Sequence, residues 1–261
     1  LLLSDRYGEQ MFSLYIISFM TLSLYLMYHL LRDAKSSVIL FSCFFVFILH
    51  VFMNGRGAIS WLGWMMILYV IFTNNEQKEK LSNILILLLA LLLCSVSSGT
   101  FSVAYAAVIM FYVYKFVKYF RFLNIYVLFS LLIIIFISYV YYDLFVSGLE
   151  RNLNYYRIGN RNLIYNMLDH GFGSVVLEHP IYISIAIALL VIVFSYLFFS
   201  LKRKPTILEF IAIGTPLAGG VFGYTTMTLA IPSFFLVIFA RLGGVDLIRR
   251  QRPSPMNAIR V

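Results

Sequence analysis

The fold class is decided by residues 81–121, which read LSNILILLLALLLCSVSSGTFSVAYAAVIMFYVYKFVKYFR. Two apolar runs, 81–95 and 101–114, flank a turn of small residues at 97–100, and a basic cluster at 115–121 ends the second run. Apolar runs without charges that are bounded by small or basic residues are typical of helices that cross a membrane. This pattern therefore predicts two neighbouring membrane helices.

The composition of the whole chain agrees with that prediction. Of its 261 residues, 62% are hydrophobic and only 12% are charged, with a mean hydropathy of +0.91. An average soluble domain has roughly 45–50% apolar and about 25% charged residues. A disordered chain is polar and rich in charge. Both classes are excluded, and a polytopic membrane protein is expected.

Six further runs extend the pattern along the chain, and the last is long enough for two short helices. These runs are 11–31, 38–53, 58–72, 122–145, 181–201 and 207–239. We expect an all-α fold of about nine transmembrane helices, with residues 1–261 forming a single transmembrane domain. Because the chain begins with Leu1 and not with Met, we also expect it to be a fragment that lacks its amino-terminal part.

Several runs hold only about 15 residues, which at 1.5 Å per residue reach about 22 Å. The hydrocarbon core of a bilayer is ~30 Å thick. Short helices span it only if their turns lie partly within the membrane boundary, shielded by neighbouring helices. The turns at 54–57 and 96–100 are therefore expected to be recessed.

The basic residues indicate an orientation. With nine spans, 15 of the 20 Lys and Arg residues fall on one side, and that side includes the tail 241–261. Cytoplasmic loops carry the excess of basic residues in membrane proteins. The tail is therefore predicted to be cytoplasmic and residues 147–180 to form one larger extracytoplasmic loop. The net charge of +9 then needs no nucleic acid to explain it.

The loop 147–180 contains the residues best suited to bind an anion. These are Arg151, Arg157 and Arg161, with Tyr155 and Tyr156 beside them. Guanidinium groups match phosphate oxygens bidentately, and tyrosine rings can stack on sugar faces. The alternative is a solvated amphipathic helix whose acidic residues neutralise the arginines.

Arg56 is a second candidate for anion binding. It lies in the turn Asn-Gly-Arg-Gly at 54–57, on the same predicted side as the loop arginines. A charge at that depth in a membrane often marks a functional site. The alternative is an arginine at a helix end whose charged group extends to the membrane surface.

Acid–base candidates also lie in the loop. His170 follows Asp169, and His179 follows Glu178. Either histidine suits a general base, because the unperturbed pKa of histidine lies near neutrality. These pairs match no standard metal signature, and the chain lacks Gly-rich nucleotide motifs, so we expect no metal and no cofactor. Cys43 and Cys94 both lie inside apolar runs and are interpreted as packing residues.

The layout resembles the O-antigen polymerase and O-antigen ligase superfamily of bacterial inner membranes. The resemblance rests on the turns at 54–57 and 97–100, on Arg-x-x-x-Arg at 157–161, and on the Asp-His-Gly-Phe-Gly sequence at 169–173. In the second turn, Thr100 and Phe101 follow Gly99 where many members carry an arginine. The chain is also short for the family.

This resemblance implies a membrane glycosyltransferase that polymerises glycan repeat units linked to undecaprenyl diphosphate, at the periplasmic face of the inner membrane. Arg56, Arg151, Arg157 and Arg161 would bind the diphosphate, Tyr155 and Tyr156 would bind sugar, and His170 or Asp169 would act as the base. The expected partners are the lipid-linked glycan, the bilayer, and flippase and chain-length regulator proteins.

Three other functions stay open at this stage. The first is an O-antigen ligase, which the sequence does not separate from a polymerase. The second is a polysaccharide flippase, which is not an enzyme and for which polar residues lining a path through the membrane are expected. The third is a structural or assembly membrane protein that binds no ligand.

Overall fold

The computed structural model describes residues 6–32, 36–40, 43–44, 55–73, 81–119 and 206–219, with isolated positions and short stretches at 132–133, 135–136, 138–143, 146–147, 150, 154, 181, 185, 229, 233–234, 236–238 and 240. Within this part of the chain there are helices and turns and no strand. The all-α prediction is confirmed for these residues, and the number of nine spans stays a prediction.

Five helices are described over their length. They are α1 (Arg6–Leu31), α2 (Gly55–Thr73), α3 (Leu81–Cys94), α4 (Ser98–Tyr119) and α5 (Ile207–Gly219). By length and composition, segments of α1 and α4 could cross a membrane, and the apolar parts of α2, α3 and α5 are shorter.

Helix α2 lies at the centre of the described packing. It contacts α1, α3, α4 and α5. Its residues 61–65 are all buried, including Trp61 and Trp64, so it is covered on several faces at once. A helix that is apolar all round is expected in such a central place. By contrast, only 22% of the membrane-length segment of α1 is buried, and this helix packs through its carboxyl-terminal turns.

The helices α2, α3 and α4 run alternately up and down. Residues 95–97 form the connection from α3 to α4, where the N–H of Ser97 donates to the carbonyl of Cys94 (3.2 Å) and the Ser97 carbonyl accepts from the N–H of Phe101 (2.9 Å). The thiol of Cys94, at the end of α3, donates to the carbonyl of Ser60, near the start of α2 (3.6 Å). The start of α2, the end of α3 and the start of α4 therefore lie at one end of the bundle.

The helix bounds correct three sequence predictions. Gly55, Arg56 and Gly57 belong to the first turn of α2, where a tight turn was predicted, and residues 98–100 likewise begin α4. Helix α4 also continues through Lys115 and Lys118, which were assigned to a loop. With 19 and 22 residues, α2 and α4 extend over about 28 and about 33 Å. Of the two, only α4 exceeds the ~30 Å core, in agreement with the length of its apolar segment. Helix α2 falls slightly short of the core, and α3, with 14 residues, is shorter still.

Candidate functional site

The candidate site is the end of the bundle where α2 and α4 begin. Arg56 is the second residue of α2, and its backbone is helical. Its side chain is outside the described part of the structure. Ser60 lies four residues later in α2 and is buried.

Four polar groups meet where α2 and α4 begin. The hydroxyl of Thr100 lies 3.2 Å from the Ser60 hydroxyl, 3.0 Å from the Cys94 carbonyl and 2.9 Å from the Ser97 carbonyl. A hydroxyl carries one hydrogen and two lone pairs, so Thr100 can donate to only one of these oxygens at a time. The cluster joins α2, the end of α3 and the start of α4 within an otherwise apolar interior.

A glycine allows this close packing. A Cβ atom built on Gly63 would lie 2.7 Å from the carbonyl oxygen of Ala90 and 2.8 Å from the Sγ of Cys94. Both distances are shorter than side-chain contacts allow, so only glycine lets α2 and α3 approach so closely at this level. The approach brings the Cys94 thiol to the Ser60 carbonyl.

Two longer-range contacts attach later parts of the chain to this framework. The indole N–H of Trp64 donates to the hydroxyl of Ser233 at 2.6 Å, and that hydroxyl donates to the carbonyl of Leu229 at 2.7 Å. The hydroxyl of Tyr141 donates to the carbonyl of Leu88 in α3 at 3.0 Å. The Tyr141 ring also lies 5.6 Å from the ring of Phe101, the residue after Thr100.

The electrostatics of this end favour an anion. Two helices, α2 and α4, begin here and one, α3, ends here. The start of a helix carries a partial positive charge and its end a partial negative charge, so the balance at this end of the bundle is positive. Neither α2 nor α4 has an acidic residue in its first turn. Arg56 adds a full positive charge to the same end. Phosphate and other anions bind readily to such an arrangement.

The structure tests none of the roles predicted for the site residues. Seven of them lie outside the described residues: Arg151, Tyr155, Tyr156, Arg157, Arg161, Asp169 and His170. For the eighth, Arg56, the structure gives the position of the backbone alone. Their diphosphate-binding, sugar-binding and base roles therefore stay predictions. Among the residues that are described, no three His, Cys, Asp or Glu side chains come together as a metal site.

Sequence reasoning missed the polar cluster of Ser60, Cys94 and Thr100. Thr100 was placed in the turn at 97–100 and noted as a departure from a family pattern, and Cys94 was interpreted as a packing residue. Cys94 is indeed buried and forms no disulfide, but its thiol also donates a hydrogen bond to the Ser60 carbonyl in α2. The available signal was a serine within an apolar run, Ser60, and a threonine at the edge of one, Thr100, since such a hydroxyl needs a partner when it is buried.

In comparisons with known proteins, no family model matches the chain, and neither a curated protein nor a solved structure does.

Proposed function

We propose that the chain is a membrane-embedded glycosyltransferase that polymerises lipid-diphosphate-linked glycan repeat units at the outer face of a bacterial inner membrane. The observation that carries the proposal is the meeting of two helix starts beside Arg56, joined by the Ser60–Thr100 contact of 3.2 Å. A lipid diphosphate is an anionic substrate that such a cationic end would bind.

The membrane part of the proposal is supported by the surface of α3. Leu81, Leu85, Leu89 and Leu92 are spaced along one side of this helix and are exposed, Leu81 to 71%. The opposite side, from Ile84 to Cys94, is buried, and the helix has no charged residue. In water such a surface is an aggregation hazard, whereas in a bilayer it is the ordinary lipid-facing side.

The proposed reaction needs neither metal nor nucleotide. A hydroxyl of the acceptor repeat unit attacks the anomeric carbon of the donor glycan, the bond from that carbon to the diphosphate oxygen breaks, and undecaprenyl diphosphate leaves. Arg56, Arg157 and Arg161 would stabilise the negative charge that develops on the diphosphate. His170, with Asp169 as the alternative, would accept the proton of the attacking hydroxyl.

The experiment replaces Arg56, Arg157 and Arg161 singly by alanine and measures the length of the surface polysaccharide. Loss of long chains, with single lipid-linked repeats still exported, is the expected result. Arg121→Ala is the matched control, because the charge pattern places this arginine on the opposite side. Each variant is compared at equal amounts in the membrane. Unchanged chain lengths in all three variants would refute the polymerase.

Long chains that stay on the lipid diphosphate, without transfer to their final acceptor, would favour the ligase.

A flippase is the alternative that one structural observation favours. Lys115 in α4 and Glu209 in α5 are charged and buried, and their helices pack against each other. Buried charges between membrane helices often line a transport path. Both residues lie near helix ends, however, which agrees better with a structural role. Retention of repeat units on the cytoplasmic side in the arginine variants would favour the flippase.

A further inference from the structure

A cavity of about 550 Å³ lies against the helical stretch at 138–143. Its described lining consists of Ser138, Tyr139, Val140, Tyr142 and Asp143. These residues come directly before the loop 147–180, which holds the predicted diphosphate-binding arginines. The cavity therefore lies where the chain leaves the apolar run for the loop.

The rotation of this helix is fixed by Tyr141. Its ring is buried, its hydroxyl donates to the Leu88 carbonyl at 3.0 Å, and it packs against Phe101 at 5.6 Å. Tyr141 thus holds one side of the helix on α3 and α4. Tyr139 and Tyr142 lie on the other side and are 85% and 59% exposed.

The exposed side combines three kinds of chemistry at helical spacing. Tyr139 and Tyr142 are three residues apart and Tyr139 and Asp143 four apart, so their side chains are neighbours on the helix surface. Ser138 lies four residues before Tyr142. The face thus offers two aromatic rings, a carboxylate and hydroxyl groups around one cavity.

This combination suits a sugar better than a lipid chain. Tyrosines alone would fit the aromatic belt at a membrane surface. A carboxylate that faces hydrocarbon is costly, so Asp143 indicates that the cavity is open to water. A sugar ring presents an apolar C–H face that can stack on tyrosine and hydroxyl groups that can donate to a carboxylate.

The cavity is connected to the candidate site through packed residues. Tyr141 contacts Phe101, and Phe101 follows Thr100, whose hydroxyl lies 3.2 Å from that of Ser60. The helix that carries the cavity thus packs at the end of the bundle where α2 begins with Arg56. A glycan in the cavity would lie on the same side as a diphosphate at that end.

We propose that Tyr139, Tyr142 and Asp143 form a binding site for sugar residues of the lipid-linked glycan. The assignment rests on the proposed function, which supplies the class of ligand. The tyrosine rings stack on the sugar, and the Asp143 carboxylate accepts hydrogen bonds from its hydroxyl groups. The site binds and orients the glycan and takes no part in the bond that is broken.

The test measures binding by the purified full chain in lipid nanodiscs with two probes. One is the oligosaccharide released from lipid-linked repeat units of the strain that carries the chain, and the other is undecaprenyl diphosphate without sugar. The double variant Tyr139→Leu/Tyr142→Leu keeps apolar side chains but removes the rings. We expect its affinity for the oligosaccharide to fall about tenfold or more, and its affinity for undecaprenyl diphosphate to change by less than about twofold.

Two further variants serve as controls, and a third tests the carboxylate of the site. Tyr139→Phe/Tyr142→Phe keeps the rings and should bind the oligosaccharide nearly as the unaltered chain does. Tyr25→Leu/Tyr28→Leu removes two exposed tyrosines of α1 and should change neither affinity. Asp143→Asn should weaken binding of the oligosaccharide about threefold or more, because a charged acceptor is lost, and should leave binding of undecaprenyl diphosphate unchanged.

Three results would overturn the site. The double leucine variant binds the oligosaccharide as well as the unaltered chain does, it loses affinity equally for both probes, or the unaltered chain itself binds no oligosaccharide. The two proposals fail separately. If the tyrosines are needed for oligosaccharide binding but the arginine variants leave polysaccharide length unchanged, the sugar site stands and the polymerase does not.

Discussion

At the scale of single residues, Gly63 sets the distance between α2 and α3. A methyl group there would meet the Ala90 carbonyl at 2.7 Å and the Cys94 sulfur at 2.8 Å. The carbonyl belongs to a helix backbone and cannot move aside cheaply. The substitution Gly63→Ala therefore separates two helices, although alanine has the higher helix propensity.

We expect Gly63→Ala to lower the free energy of unfolding by about 1–3 kcal/mol, the usual cost of overpacking a well-packed interior. The measurement is thermal unfolding of the purified chain in detergent. Gly214→Ala is the matched control, since it also lies inside a helix but a Cβ there meets nothing within 4 Å. This control should be neutral or stabilising by up to about 1 kcal/mol. Equal effects of the two substitutions would contradict the close approach.

The residue scale is also where the sequence was least informative. Ser60 and Thr100 are 40 positions apart and Trp64 and Ser233 are 169 apart. Both pairs depend on how each helix is rotated about its axis. In an apolar helix that rotation has no amphipathic pattern to reveal it, because all faces have similar hydrophobicity. The existence of the helices could be predicted, but their contacts could not.

At the scale of elements, the start of α5 could have been predicted in detail from the sequence, because it carries a capping motif. Thr206 and Glu209 form a capping box. The N–H of Glu209 donates to the Thr206 hydroxyl (3.3 Å), and the Glu209 carboxylate accepts from the Thr206 N–H (2.7 Å) and hydroxyl (3.1 Å). A threonine followed three residues later by a glutamate is the sequence signature of this motif.

Thr206→Ala removes the side-chain half of this box and should destabilise α5 by about 1 kcal/mol. Hydrogen exchange at the amides of Glu209 and Phe210, which donate to the Thr206 hydroxyl and carbonyl, is the direct measurement. We expect it to accelerate about fivefold, the factor that corresponds to about 1 kcal/mol. Thr206→Ser keeps the hydroxyl and should restore slow exchange. Thr206 is a better position for this test than Glu209. Glu209 is buried and has further interactions, so replacing it would combine the loss of the cap with the loss of those interactions. Unchanged exchange in the alanine variant would show that the cap contributes no stability.

The end of a helix was predicted well where no charged residue lies inside the helix, and poorly where a charged residue is buried within it. The run 81–95 corresponds closely to α3 (Leu81–Cys94). The run 101–114 stopped at Lys115, yet α4 continues to Tyr119. Lys115 is buried, with its Nζ 5.5 Å from the centre of the Phe111 ring. An aromatic ring can stabilise a cation in this way, so a lysine does not have to end an apolar helix.

At the scale of the whole molecule, the packing gives a direction to four of the five described helices, α1 to α4. The Ser60–Thr100 and Cys94–Ser60 contacts place the start of α2, the end of α3 and the start of α4 together. At the other end, the ring of His29 in α1 lies 6.5 Å from that of Tyr69 in α2. The alternating directions of α2, α3 and α4 agree with the charge pattern. That pattern assigns residues 73–80 and 115–121 to one side and residues 54–57 and 96–100 to the other.

The proposed membrane topology therefore predicts opposite accessibility for the two ends of α4. In a Cys43→Ala/Cys94→Ala background, Val96→Cys should react with a membrane-impermeant maleimide in intact cells, and Lys118→Cys only after the membrane is permeabilised. Both positions are exposed, so burial in the protein does not explain a difference between them. Reaction of Lys118→Cys but not of Val96→Cys in intact cells would invert the topology. Recovery of the chain in the soluble fraction would exclude membrane insertion. The expected pattern would place Arg56, four residues before Ser60, at the outer face of the membrane, because Ser60 contacts the start of α4.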